Sequence, residues 1–191
     1  MDLDPKTLRR SVEDAFSGDR EEIDRPDLVR SAVLLCIVER DPELVLVFTR
    51  RTMKVAKHKG QISFPGGAAE PEDDGPVGTA LREASEEVDL DPGVVDVAAV
   101  LDDQITTTGF VITPIVGFAP ATIELAADPT EVEEVFEVPL STLANPANHM
   151  MQILEHRGVR FEDHRYFAGT RVIWGATGRI LRIFLSGIGL G

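Results

Sequence analysis

The chain has 191 residues, 43% of them apolar, and a formal net charge of −14 from 33 acidic against 19 basic side chains. That length suits one domain with a substantial core, and the apolar share excludes a disordered chain. So anionic a surface excludes broad nucleic-acid binding, which needs a basic footprint for phosphate backbones. No run of about 18 apolar residues predicts a membrane span, and the N-terminus has no signal-like apolar segment. Cys36 is the only cysteine, so an intramolecular disulfide and a multi-cysteine zinc site are ruled out. Its place in an apolar strand pattern predicts a buried structural thiol. A cytoplasmic location follows by default, and the acidic, lysine-poor surface suits either a salt-rich cytoplasm or ordinary solubility.

In chain order, Asp4-Pro5 opens a short amphipathic helix with Leu8, Val12 and Phe16 on one side. Residues 17–28 are polar and read as a connector, so 1–28 is an N-terminal helix and connector and 29–191 a single domain. Ser31–Val38 and Glu43–Thr49 are apolar, β-branched runs separated by Asp41-Pro42, which predicts a hairpin with one central strand. Then Arg50, Arg51, Lys54, Lys57 and Lys59 crowd into ten residues around His58, and three of the four lysines lie there. Such a cation cluster in an anionic protein suits recruitment of a polyanionic small molecule; a solvated basic loop is the alternative. Gln61–Phe64 reads as a strand that ends in the turn Phe64-Pro65-Gly66-Gly67, where glycine allows close backbone approach.

The next helix is the most informative stretch. Asp74 or Gly75 can cap it, and Pro76 suits its first position, where a missing N–H costs nothing. Val77, Leu81, Ala84 and Val88 form an apolar stripe. Glu83, Glu86 and Glu87 fall within an arc of about 100°, read as lying off that stripe. Three carboxylates so close repel by up to roughly 0.5 kcal/mol per pair. The economical explanation is a hard divalent cation, Mg²⁺ or Mn²⁺, beside a phosphate-bearing substrate. The alternative is an acidic, solvated surface helix.

Beyond it, Val94–Leu101 and Phe110–Phe118 are strand-like, with a turn-rich join at Asp102–Gly109, and Pro120–Pro129 is loop or a short strand. Within Glu131–Leu140, Glu131, Glu133 and Glu134 are expected to be solvated rather than to reach the site. Met150–Glu155 and Val159–Phe167 predict a hairpin. Val172–Ile188 predicts a core-packing helix with Trp174, Leu181, Phe184, Leu185 and Ile188 apolar and Arg179 and Arg182 opposite. No internal repeat is present.

Gly67, Asp73 and Arg82-Glu83-Ala84-Ser85-Glu86-Glu87-Val88-Asp89-Leu90 resemble the Nudix box. Asp73 stands where Glu is usual, eight residues rather than seven precede Arg82, and Asp89 replaces a late Gly. Upstream, Phe48-Thr49-Arg50-Arg51-Thr52, His58-Lys59-Gly60-Gln61 and Phe64-Pro65-Gly66-Gly67 resemble the motif of the coenzyme A diphosphatase branch, as does Ile173-Trp174-Gly175-Ala176-Thr177 near the end. Thr52 replaces a Ser there, and Ala56 stands where the branch has Arg. The likeness spans about residues 30–187, with motifs from 47 to 90.

What the resemblance implies is an α/β (α+β) Nudix fold, a mixed sheet sandwiched between helices. It implies metal-assisted hydrolysis of a nucleoside diphosphate linkage, with coenzyme A or an acyl derivative cut to 3′,5′-ADP and 4′-phosphopantetheine or its acyl form. Glu83, Glu86, Glu87 and the Gly67 carbonyl would hold Mg²⁺ or Mn²⁺. Arg82 would orient the cluster by pairing with a carboxylate such as Asp73, and Asp102–Gly109 would be a substrate-side loop. Arg50, Arg51, Lys54, Lys57, His58, Lys59 and Gln61 would contact substrate. The general base stays open among Glu83, Glu87 and the glutamates of 131–134. The rivals are a Nudix pyrophosphatase for ADP-ribose, dinucleotides or nucleoside triphosphates, and a non-catalytic nucleotide-sensing module. Neither nucleic acid nor membrane is an expected partner, and a homodimer is left open.

Overall fold

The computed structural model describes residues 4–52, 60–156 and 158–191. The expected substrate contacts Lys54, Lys57, His58 and Lys59 lie outside the described residues.

An N-terminal helix, α1 (Pro5–Ala15), is capped by Asp4, whose carboxylate accepts from the Thr7 N–H at 2.9 Å. After the connector come β1 (Val29–Arg40) and β2 (Glu43–Arg51), antiparallel with Ile37 opposite Leu46. β1 is apolar from Ala32 to Val38 because it is central: β7 (Phe110–Ala119) runs parallel along its other edge, with Val29 opposite Phe110 and Val38 opposite Ala119. β2 and β1 pair only over residues 43–46 and 37–40, and the segment leading to the box takes up the pairing beyond. Its β3 (Ile62–Ser63) pairs with Thr49 and Arg50 of β2, and its β4 (Gly66–Ala68) pairs with Ser31 to Val33 of β1. The box helix α2 (Gly75–Val88) follows, then β5 (Asp96–Val100) and β6 (Gln104–Ile105) along β7, and β8 (Val132–Pro139) antiparallel to β2. Short α3 (Leu140–Leu143) leads to a second sheet of β9 (His149–His156), β10 (Val159–Ala168) and β11 (Arg171–Ile173), and α4 (Gly175–Gly187) closes the chain.

Alternation along β2 assigns the layers. Leu44, Leu46 and Phe48 pack in one cluster with Leu8 and Val12 of α1, Leu181 and Phe184 of α4, and Tyr166 of the second sheet. Val45 and Val47 pack in another with Ala80, Ala84 and Val88 of α2. The large mixed sheet therefore lies between helices, as expected. Each fully buried aliphatic or aromatic side chain contributes about 1.5–3 kcal/mol. Cys36 is fully buried, and burial, with Glu137 adding, pushes its thiol up to about 12. No helix among the described residues is long and apolar enough to cross a membrane.

Two expectations need correction. The C-terminal helix does not begin at Val172: Val172 and Ile173 pair with Phe167 and Tyr166 in β11, so sheet pairing of β-branched residues wins there. Trp174 sits at the N-cap of α4 in an extended conformation, 45% exposed, rather than on its buried face. In α2, Val77 and Leu81 are only partly buried, whereas Thr79, Ala80 and Glu87 are buried with Ala84 and Val88. Small Ala80 and Ala84 bring the helix close to the sheet, so the buried face extends to Glu87.

Candidate active site

α2 starts after Asp74, which makes no side-chain cap bond, and ends at Asp89. Asp89 adopts the left-handed conformation (φ 57°) that the box's usual glycine would adopt without strain, the one non-glycine positive φ among the described residues. The 120–129 segment forms no helix or strand; its Ala126 and Asp128 N–H groups donate to the Val88 and Glu87 carbonyls and hold the end of α2 in place.

The glycine-rich lead-in passes directly beneath the carboxylates. A Cβ on Gly66 would lie 2.3 Å from the Ala32 carbonyl oxygen, and one on Gly67 would lie 2.5 Å from the Glu83 carboxylate. The Glu83 side chain thus occupies the space that any other residue at 67 would fill. The Gly66 N–H donates to Glu87 Oε2 at 3.1 Å.

Arg82 fixes the opposite side. Its Nε and Nη2 donate to the two Asp73 oxygens at 2.8 and 3.1 Å, and Nη2 also to the Ala68 carbonyl. Its Nη1 lies 3.1 Å from both Glu83 Oε1 and Glu86 Oε2. Asp73, though shorter than Glu, also accepts from the Glu70 N–H and the Thr79 hydroxyl, each at 2.8 Å. Those bonds, the Arg82 bond first, hold its carboxyl well below the usual range. The expected Arg82–Asp73 pairing is therefore present; Thr79, buried on α2, was not foreseen.

Two carboxylates share Arg51 at the far end. Arg51 Nη1 donates to Glu87 Oε1 at 3.1 Å, and its Nη2 lies 3.4 Å from Glu131 Oε2. Glu131 is thus paired within the site rather than simply solvated, which corrects the expectation. Glu87, only 2% exposed, does not lie off the buried stripe. Burial pushes it up to about 7, opposed by the Gly66 N–H and Arg51 and reinforced by Glu83 and Glu131. Burial also raises Glu83, opposed by Arg82 and reinforced by Glu86 and Glu131.

Hard oxygen donors gathered beyond what two guanidiniums neutralise suit a divalent cation. Among the described residues, no three carboxylate, imidazole or thiol side chains converge closely enough to hold an ion as they stand. Arg82 holds one oxygen each of Glu83 and Glu86, and Arg51 holds one of Glu87.

Of the expected cation cluster, the two described members, Arg50 and Arg51, part to different faces. Arg50 points to the opposite face of β2 from Arg51 and pairs with Glu134 Oε2 at 3.1 Å. An irregularity in β8 opposite Arg50 and Arg51 leaves Glu133 as an extra residue, also on the Arg50 side at 3.7 Å. Gln61 adjoins Arg51, its carbonyl accepting from the Arg51 N–H at 3.0 Å.

A box helix carrying three glutamates over a glycine turn is the arrangement that the resemblance to the Nudix box implies. The NUDIX domain family model matches residues 28–156. The chain is 38% identical over 151 residues to a protein of Photorhabdus laumondii named "Uncharacterized Nudix hydrolase NudL", covering 79% of this chain and 80% of that one. It is equally 38% identical over 153 residues to the NudL of Yersinia pestis, covering 80% and 76%. Among solved structures, a MutT/nudix family protein from Enterococcus faecalis superposes with a TM-score of 0.55 at 14% identity, covering 96% of this chain and 74% of that one. The Nudix hydrolase RenU of M. smegmatis gives 0.51 at 18% identity, covering 61% and 73%. The chain belongs to the Nudix hydrolase family and is a diphosphatase, an enzyme that hydrolyses pyrophosphate linkages. Hydrolases of this family generally work with divalent metal ions on small nucleotide substrates.

Proposed function

We propose that the substrate is coenzyme A or an acyl derivative, hydrolysed at its diphosphate to 3′,5′-ADP and 4′-phosphopantetheine or its acyl form. The observation that carries this reading is the contact between two motifs far apart in sequence. Arg51, from the upstream motif resembling the coenzyme A branch, donates directly to Glu87 of the box, and Gln61 of the same motif is bonded to Arg51.

Glu83, Glu86, Glu87 and the Gly67 carbonyl are the residues that would hold Mg²⁺ or Mn²⁺. When bound, the metal would acidify the attacking water and neutralise charge on the departing phosphate. The Arg82–Asp73 pair fixes the height of Glu83 and Glu86 over the glycine turn. The Gly66 N–H fixes one oxygen of Glu87, leaving the oxygen on Arg51 free to change partner. Arg51, released from Glu87, would be positioned to donate to a phosphate oxygen. Burial of Glu87 keeps bulk water from screening these interactions.

Coenzyme A differs from ADP-ribose and dinucleotides by a 3′-phosphate, and a charge-assisted contact to it is worth about 1.5–3 kcal/mol, or roughly 10- to 150-fold in affinity. Dephospho-coenzyme A should therefore show a higher KM than coenzyme A at similar kcat, and Lys54→Ala or Lys57→Ala should erase the difference. Equal efficiency on both, with preference for ADP-ribose, assigns the chain to another branch of the family.

A further inference from the structure

On the sheet face opposite the box helix, a cleft of about 430 Å³ is lined by Arg50, Ile62, Glu134, Thr170, Arg171 and Trp174. Its chemistry differs from that of the carboxylate site. The two Glu134 oxygens each bind one guanidinium, Arg50 on Oε2 at 3.1 Å and Arg171 on Oε1. Arg171 also lies over the Phe136 ring, 4.3 Å from its centroid. With Glu133 near Arg50, the charges of the described residues around the cleft, Arg50 and Arg171 against Glu133 and Glu134, balance. The cleft is not apolar enough for an acyl chain.

It offers instead a flat aromatic face and a mixed set of donors and acceptors. Trp174 is 45% exposed, yet its backbone is held: Ile173 before it is fully buried, and Thr177 after it donates to the Ile62 carbonyl at 3.2 Å. Arg50 is held from two sides, its buried Nε 3.7 Å from Glu133 Oε2 and its Nη2 3.1 Å from Glu134 Oε2. A large, exposed, positioned indole beside guanidinium donors, a carboxylate and Thr170 matches a neutral heteroaromatic ring with both donors and acceptors on its edge.

We propose that this cleft is a nucleobase subsite, in which the base of the substrate stacks on Trp174 and its edge is read by Arg50, Glu134 and Thr170. The proposal deepens the coenzyme A reading, on which its adenine specificity rests. Arg50 and Arg51 are chain neighbours, so the cleft and the carboxylates lie at the same end of β2 on its two faces. A nucleoside diphosphate would bridge that end, base on one face and diphosphate on the other.

Trp174 is the only tryptophan in the chain, so its fluorescence reports the cleft directly. Titration of the full-length protein with adenosine should quench it saturably, and ribose 5-phosphate should not. Trp174→Ala should raise KM for coenzyme A about tenfold with kcat little changed, as expected for a lost stacking platform, and Trp174→Phe should restore most of it. Quenching by adenosine in a protein that fails to hydrolyse coenzyme A would uphold the subsite and remove the substrate reading. Hydrolysis of coenzyme A with unaltered KM in Trp174→Ala, or no quenching by adenosine, would overturn the subsite and leave the substrate reading in place.

Discussion

Arg50 and Arg51 share one strand and one motif, yet they work in different surroundings. Arg51 faces α2 and is the counter-ion of buried Glu87. Arg50 faces the other layer, where Glu134 ties it to Arg171 across the cleft beside Trp174. On the α2 side negative charge is in excess and the glycine turn leaves no spare volume. On the other side charges are balanced and volume is open. Two cations adjacent in sequence are thus not one electrostatic object when both lie in a strand, because alternate side chains are separated by the sheet's own thickness.

The sharpest way to separate the two faces is to remove charge from the first. Glu87→Gln keeps the acceptor for the Gly66 N–H but loses an anionic metal ligand. Losing several kcal/mol of transition-state stabilisation means a fall of about 10²–10⁴-fold in kcat, while the melting temperature holds or rises as repulsion from Glu83 and Glu131 is relieved. Steady-state kinetics and differential scanning calorimetry check both, and near-normal turnover would refute the metal assignment.

A smaller effect distinguishes the arginines themselves. Arg51→Ala frees a Glu87 oxygen and should change the apparent Mn²⁺ affinity several-fold, measured by calorimetric titration. Arg50→Ala, on the far face, should leave that affinity unaltered. Equal shifts in both would mean that the sheet does not insulate the two regions.

The mildest effect concerns the acid limb. The folded-state pKa of Asp73 is depressed, so its stabilisation is present above the ordinary carboxylate range near 4 and is lost as pH falls through the lower folded value. Asp73→Asn should melt several degrees below wild type at pH 7, and the gap should narrow steadily below about pH 4. A gap independent of pH would mean that the carboxylate's charge is not what Arg82 needs.

Much of this was legible in sequence where the signal is local. The β1–β2 hairpin shows as two β-branched runs, and α2 shows in its proline start and glutamate spacing. The Arg82–Asp73 pair follows from a motif within one loop and helix. What was not legible depends on the third dimension. Glu131 meets Arg51 only because β8 pairs with β2. Thr79 is a polar residue that no periodicity distinguishes, yet it is fully buried with Asp73 as its acceptor. Trp174 reads as one more apolar residue of a helix until β11 claims Val172 and Ile173 and leaves the indole at the boundary. The one available signal was Gly175, whose positive φ of 66° marks the break.

The parallel ladder between β1 and β7 has a consequence for how the site comes into being. Val29 meets Phe110 and Val38 meets Ala119, and the chain between them carries both the glycine turn and the whole box helix. That ladder is a non-local pairing, and closing such a long loop is an entropic barrier that slows folding toward the millisecond-to-second range. Until it closes, Ala80, Ala84 and Val88 lack Ile115 and Ala119, the part of their cluster that β7 supplies. The capacity to bind a divalent cation should therefore appear late in refolding, with the formation of the central sheet, rather than with the early formation of helix.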